Sequence, residues 1–351
     1  MPDPLLLYGA TGYTGRLIVA EALRAGLRPI LCGRRPEALA ALGAETGLSH
    51  RVATLENPES LERALDGVGA VLHAAGPFAD TAQPMLNACL RTGRHYLDIT
   101  GELMVIEALA ARGGEARRRG IMVMPGVGFD VVPSDCLAAH VAARLPSATR
   151  LVLAIRGLAL STRGSARTLI RFAALDRTVR RDGQLARVPA GSLERQFDFG
   201  DGPERCLNVG WGDVATAWFT TGIPNIEVYF DALPMREAML ASSRTAGRIL
   251  QLPVWQAWLN AAAAWLPEGP TVEQRAQSEM RLVAEATDPA GRCARARLRT
   301  PEAYTCTAAT AVAVARRVVA GDVETGFQTP ARVYGADLVL GCEGVERTDL
   351  A

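Results

Sequence analysis

LLLYGATGYTGRLIVAEALRAGLRPILCGRR, residues 5–35, decides the fold of this 351-residue chain. An apolar run of Leu5, Leu6, Leu7 and Tyr8 meets the glycine-rich turn GATGYTG at 9–15, and an Ala/Leu-rich segment follows as far as Gly26. A second apolar run at 29–32 ends in Gly33, Arg34 and Arg35. Strand, tight turn, helix and strand within about thirty residues is the footprint of a dinucleotide-binding unit. Gly9 lets the chain reverse out of the strand. Gly12 lets the backbone approach a pyrophosphate with no Cβ in the way, and Gly15 lets the helix pack close to the sheet. Free N–H groups at the helix start then meet the phosphates. Thr11, Tyr13 and Thr14, within the same turn, are counted with the glycines as cofactor-binding. A Gly-x-x-Gly-x-x-Gly spacing alone is a common turn; between an apolar strand and an amphipathic helix it reads as a nucleotide site.

The end of the second strand selects the dinucleotide. An NAD site carries Asp or Glu there to accept from the ribose 2′-hydroxyl, whereas this chain has Gly33, Arg34 and Arg35. A carboxylate repels a 2′-phosphate, while paired guanidiniums offer it planar, multi-donor hydrogen bonding. The expected cofactor is NADP(H); the alternative for the pair is two solvated arginines capping a strand.

The length predicts two domains. With 49% hydrophobic and 21% charged residues the composition is that of an ordinary globular protein. A net charge of +1 supplies no global field toward nucleic acid or an anionic membrane, so no nucleic-acid partner is expected. All 38 basic residues are arginine. A lysine Schiff base is thereby excluded, as is the Tyr-x-x-x-Lys pair that lowers a tyrosine pKa in short-chain dehydrogenases. Cysteines at 32, 89, 136, 206, 293, 306 and 342 show no Cys-x-x-Cys spacing, which argues for a reducing compartment and against a structural zinc. The first strand starts too early for a preceding signal peptide, and no apolar run is long enough to span a bilayer. A cytoplasmic location is the expectation.

Beyond Arg35 the alternation continues, with helices predicted at 36–45, 58–66, 82–92, 103–119 and 134–144 and strands at 50–55, 70–75, 95–100 and 121–125. Six strands separated by helices make a doubly wound parallel sheet with right-handed crossovers, an α/β fold. Ligands sit outside the carboxyl ends of such strands. Ala75, Gly76, Pro77 and Phe78 follow one strand beside the cofactor's expected path. In HYLDITGE, Tyr96, Asp98 and Thr100 share one face of a strand buried on both faces, so they either form a structural network or line the crevice. PGVGFDVVPSD brings Gly126, Gly128 and Asp130, then Ser134 as an N-cap and Asp135 in a first helical turn.

Composition shifts after Pro146. The expected organisation is a nucleotide-binding domain at 1–146, an α+β domain for substrate or oligomerisation at 147–300, and a helix and tail at 301–351 returning to the first domain. Arg163, Arg167 and Arg171 fall on one helix face, in a stretch with eight arginines against two aspartates between 156 and 187. The plainer reading is a solvated face; the other is a seat for an acidic substrate or a carrier's phosphates. Strands are predicted at 151–155, 208–219 (interrupted at 210–213), 225–230, 282–285 and 295–298. Residues 252–266 are free of charge, with Trp255, Trp258 and Trp265 at helical spacing. Core or oligomer packing is the expected use, with a lid or a peripheral membrane contact as the alternative. A helix at 304–320 stops at Gly321 before GFQTPARVYG.

GATGYTG, GRR, AAGPF, HYLDITGE and GFDVVPSD, in this order and with the late QTPARVYG, resemble the saccharopine-dehydrogenase-like oxidoreductases, closest to the branch of trans-acting enoyl reductases. The similarity covers the first 145 residues well, the last fifty moderately and the middle by layout only. It implies a Rossmann domain, a mixed α+β second domain and pyridine-nucleotide chemistry, with Gly9, Gly12, Gly15, Arg34 and residues 75–78 against the cofactor. The function expected is NADPH-dependent hydride transfer to a C=C or C=N bond of a small-molecule or acyl substrate such as a thioester-activated lipid precursor. A homo-oligomer and a carrier contact belong to the same expectation. With lysine absent, Tyr96, Asp98 and Asp130 are the candidate catalytic residues. The alternatives are an NADP-binding redox sensor without turnover, against which the size of the second domain argues, and an inactive scaffold.

Overall fold

In the computed structural model, which describes residues 4–158, 162, 177–189, 191–232 and 268–350, strand and helix alternate from the start of the chain. The arginine face at 163, 167 and 171 and the tryptophan segment at 252–266 lie outside these residues. Contacts divide the chain into two units, Met1–Val132 with Ala303–Cys342, and Pro133–Glu302 with Glu343–Ala351. The first boundary falls at Val132 rather than at the expected Pro146.

The first unit begins β1 (Leu5–Tyr8), α1 (Tyr13–Arg24), β2 (Ile30–Gly33), α2 (Pro36–Thr46), β3 (His50–Val52), α3 (Pro58–Ala64) and β4 (Ala70–His73). It continues α4 (Phe78–Thr92), β5 (His95–Asp98), α5 (Leu103–Ala111), α6 (Gly113–Arg118) and β6 (Met122–Met124). Strand β1 is buried along its whole length, as a central strand covered on both faces must be. Helix α1 turns Gly15, Ile18, Val19 and Ala22 inward, the spacing of one helical face. Pro36 opens α2 and Gly47, left-handed at φ 65°, closes it. The late chain adds α10 (Ala303–Val319), which packs on α1, and β15 (Gly326–Phe327). The strand order is β15-β6-β5-β4-β1-β2-β3, all parallel. The six expected strands thus gain a seventh from the C-terminal segment.

The helix predicted at 103–119 is two, broken at Arg112. A Cβ on Gly113 would lie 2.8 Å from the Cβ of Phe327, so the second piece starts where only a glycine admits β15. Sequence periodicity cannot see a neighbour more than two hundred residues away.

The second unit opens with α7 (Val132–Arg144), whose first residue is the last of the first unit. It starts before the expected Ser134, which lies buried in its first turn instead of capping it. Strands β7 (Arg150–Arg156), β8 (Arg177–Arg181), β9 (Gln184–Val188), β10 (Glu194–Asp198), β11 (Pro203–Val209) and β12 (Asn225–Asp231) follow, with α8 (Asp213–Thr221) before the last. Then come α9 (Val272–Ala276), β13 (Glu279–Thr287), β14 (Cys293–Pro301) and, at the end of the chain, β16 (Glu346–Leu350). They form a mixed sheet in the order β10-β11-β12-β7-β13-β14-β16, with β12 and β7 parallel and the β8–β9 hairpin attached to β12. The first unit's α11 (Pro330–Tyr334) follows β15.

Two readings of this region are corrected. Residues 214–219, expected as strand after an interruption at 210–213, are in helix α8, because Asp213 stands in a first turn and Gly222, at φ 72°, supplies a left-handed stop. The β8–β9 hairpin was not expected at all. Asp182 (φ 48°) and Gly183 (φ 78°) make the two-residue turn with both central residues left-handed, the geometry that Asp-Gly favours.

The break at Arg112 carries a stability prediction. Gly113→Ala forces Phe327 and β15 to shift and is expected to lower unfolding stability by about 1–3 kcal/mol. Gly114→Ala, whose Cβ would meet nothing closer than Arg118 Nη1 at 3.7 Å, is expected to raise it by up to about 1 kcal/mol. Urea midpoints of the two variants beside the wild type give the comparison.

Candidate cofactor site

The residues singled out from the sequence in the first unit gather at the carboxyl ends of the parallel strands. From β1 the chain runs outward to β2 on one side, while β4 lies against β1 on the other, so a crevice opens where the crossovers part. Gly9 sits at φ 88°, donates its N–H to the Cys32 carbonyl of β2 at 2.9 Å, and would with a Cβ meet Ala74 and Ala75 at 3.0 Å. The loop after β4 therefore presses directly on the turn after β1. Gly12 N–H closes the turn on Gly9 O at 3.0 Å. Gly15 is the tightest place, since a Cβ there would lie 2.2 Å from that same carbonyl oxygen.

Helix α1 thus begins hard against the strand end. Its N-cap is Gly12 in an extended conformation, with no side-chain cap bond and no acid in the first turn. The N-terminus of α4 is different. The Glu102 carboxylate accepts from Phe78 N at 2.8 Å and from Ala79 N at 2.9 Å, so this end is already matched by a negative charge of the chain itself. Of the two helix starts, α1 is the one suited to a phosphate. Thr11, Tyr13 and Thr14 are half-buried along the turn, and the Tyr13 ring meets Tyr304 of α10 edge-on with centroids 5.4 Å apart. Arg34 and Arg35 are exposed past the end of β2, and Arg35 Nη2 donates to Thr11 Oγ1 at 3.1 Å. Ala75, Gly76 and Pro77 form the loop leading into α4, with Phe78 its first helical residue.

At the other side of the crevice, Tyr96 and Asp98 are wholly buried. Tyr96 Oη donates to Asp98 Oδ2 at 2.7 Å, while Thr100 N and Gly126 N donate to Asp98 Oδ1 at 2.9 and 3.0 Å. Thr100 Oγ1 accepts from Glu102 N at 3.0 Å. This network ties the end of β5 to the loops after β5 and β6. Burial raises the Asp98 carboxyl to about 6, against the lowering effect of its donors, and raises the Tyr96 phenol well above its usual range. Asp130 is half-buried and seated on Gly101, where a Cβ would lie 2.9 Å from Asp130 Oδ2. Burial, and then the charge of Glu102, raise the Asp130 carboxyl to about 7.

Two residues at these strand ends were not singled out from the sequence. Glu102 stands in the quoted HYLDITGE stretch, but its partners lie in another loop. His73, at the end of β4, is buried with its ring 5.4 Å from that of Tyr8 and 5.3 Å from that of Phe78, and burial lowers its pKa to about 3, so the imidazole is neutral. Among the described residues no group of three or more His, Cys, Asp or Glu is arranged to hold a metal.

Residues 9–118 match the family model described as NAD(P)H-binding. A trans-acting enoyl reductase of Mycobacterium leprae is 36% identical over 140 residues, covering 37% of this chain and 33% of that protein. A saccharopine dehydrogenase-like oxidoreductase of Homo sapiens is 27% identical over 156 residues, 38% of this chain and 36% of that one. The match thus spans about a third of the length of these relatives. Saccharopine dehydrogenase (L-Glu forming) of Saccharomyces cerevisiae superposes with a TM-score of 0.64 over 99% of this chain and 100% of its own, at 11% identity. The likeness read from the motifs is therefore found in both sequence and fold, and the chain carries an NAD(P)H-binding domain.

The Asp98 network predicts a pH dependence of stability. In the unfolded chain this carboxyl loses its proton near pH 4, in the folded chain near 6. The folded form holds the proton longer, so its contribution is complete below about pH 4 and is lost as pH rises through 6. Asp98→Asn keeps an oxygen for Thr100 and Gly126 but removes the titration. Its unfolding stability relative to the wild type is expected to rise by about 3 kcal/mol between pH 4 and 7, measured by urea denaturation. Asp98→Ala, which strips buried donors of their acceptor, is expected to cost about 3 kcal/mol or more at either pH.

Proposed function

We propose that this chain, with its NAD(P)H-binding domain and its likeness to saccharopine-dehydrogenase-like and enoyl reductase proteins, is an NADPH-dependent oxidoreductase acting on a C=C or C=N bond of a small-molecule or acyl substrate. The observation that carries this reading is the start of α1. It is without a side-chain cap, set on the Gly9, Gly12 and Gly15 cradle at the parting of the crossovers, with two arginines one strand away.

The bound reduced nicotinamide would supply a hydride at the carboxyl edge of the sheet. The protein's own groups do the rest. Main-chain N–H groups of the first turn of α1 hold the pyrophosphate. Arg34 and Arg35 receive the 2′-phosphate, with Arg35 already anchored at Thr11 beside the turn. Gly9 and residues 75–78 shape the floor of the crevice. Asp130, with its carboxyl near 7, holds a proton on a carboxyl oxygen at neutral pH and passes it to the atom left basic by hydride arrival. Tyr96 and Asp98, buried and bonded to each other, fix the two loops between which Asp130 is placed.

The choice of NADPH over NADH is tested by replacing both arginines. Charge-assisted hydrogen bonds contribute about 1.5–3 kcal/mol each, so Arg34→Ala with Arg35→Ala is expected to weaken NADPH about a hundredfold or more. NADH affinity should change by less than about twofold. Calorimetric titration of both coenzymes against both proteins decides. Equal loss for the two removes the basis for the NADP preference, and no binding of either by the wild type removes the reading as a whole.

A further inference from the structure

We propose that Glu102 is a positioning residue that ties the cofactor loop to the proton donor, its carboxylate holding residues 75–78 and its main chain holding Gly101, the seat of Asp130. The inference rests on the reading of Asp130 given above. Five hydrogen bonds meet at this residue. Its carboxylate accepts from Phe78 N, the last residue of the cofactor loop, and from Ala79 N, the next. Its N–H donates to Thr100 Oγ1, and Thr100 N–H to Asp98, which pins main chain 100–102 to the end of β5. Its carbonyl accepts from Val105 N at 2.9 Å and Ile106 N at 3.1 Å and so starts α5. Gly101, the residue between Thr100 and Glu102, is the seat of Asp130, 2.8 Å from a Cβ at 101 to Asp130 Cβ.

The position also suits the charge. A helix start favours a negative group, and the first turn of α4 provides that field. After burial, the same charge is what pushes Asp130 toward its protonated form, and it acts in the same direction on Asp98 and Tyr96. Other titratable groups at these strand ends are His73 on β4, neutral by burial, Tyr8 on β1 and Cys32 on β2, both raised by burial, and Arg34 and Arg35 past β2. A cap that served stability alone would fix α4 and leave the proton of Asp130 where it is.

The test separates the two roles. In the full chain, carboxyl carbon NMR follows the titration of Asp130, with Asp130→Asn identifying the resonance, and calorimetry follows NADPH. Glu102→Gln keeps an acceptor for α4 and removes the charge. The Asp130 midpoint is expected to fall by about one pH unit, with NADPH affinity within about twofold of the wild type. Glu102→Ala removes the acceptor as well, and NADPH should bind about fivefold more weakly. Glu102→Asp, which keeps the charge, should bring the midpoint back toward the wild type. An Asp130 midpoint unmoved in Glu102→Gln overturns the proposal, and so does undiminished NADPH affinity in a folded Glu102→Ala. If the Ala variant does not fold, the Gln and Asp variants decide by the midpoint. Because the titration is read without coenzyme, a wild type that binds no NADPH would defeat the proposed function while the link between Glu102 and Asp130 is still decided.

Discussion

Helix α1 has to start against the carbonyl of Gly9, and the architecture of the first unit follows from that approach. Any Cβ at position 15 would come to 2.2 Å from this oxygen, far inside contact distance, so a side chain there would push the helix off the sheet. With glycine, α1 lies close and its first turn points at the crevice. The same turn leaves Gly9 left-handed and in contact with Ala74 and Ala75, so the loops after β1 and β4 are positioned by one another. The late chain then secures the helix from outside, with α10 packed along α1 and Tyr304 against Tyr13. A unit made of two distant chain segments is thus closed around its glycine-rich turn.

Charge is sorted across the crevice in the same way. On the β2 side stand Arg34 and Arg35; on the β5 and β6 side stand Asp98, Glu102 and Asp130. The carboxylate of Glu102 is already used by α4, which leaves α1 to meet an anion. Under the proposed function a phosphorylated ribose would sit on the arginine side.

How much of this could be read from the amino acids depended on the distance to the deciding partner. The GATGYTG turn, the strand before it and the arginine pair after β2 are local, and their spacing alone placed them. The helix at 103–119 was misread because Phe327, which requires Gly113, is far along the chain. Residues 214–219 read as strand from Val214, Thr216, Trp218 and Phe219, yet the glycines at 212 and 222 and the acid at 213 outweigh that preference. The Asp182-Gly183 turn is a local signal, but the three arginines of β8 disguise the strand that leads into it. For Tyr96, Asp98 and Thr100 the sequence left a network and a crevice lining equally open. The Gly126 amide and the Tyr96 hydroxyl, both bonded to Asp98, favour the network. Glu102 escaped notice for a like reason, its partners lying in the loop after β4.

The absence of lysine narrows the proton chemistry further. Without an ammonium group to stabilise a phenolate, a tyrosine has to find its environment elsewhere, and Tyr96 finds the opposite: burial and the neighbouring carboxylate hold its proton more firmly. The proposed function therefore assigns the proton to a carboxyl group near neutrality. Asp98 and Asp130 are both raised by burial, but the balance differs. In Asp98 burial is opposed by the hydroxyl and two amides that stabilise its charge, which leaves it near 6 and fully committed to them. In Asp130 burial is joined by the charge of Glu102, which acts in the same sense, and the group stays partly open to solvent. Burial is thus opposed at Asp98 by a hydroxyl and two amides, and followed at Asp130 by the charge of Glu102.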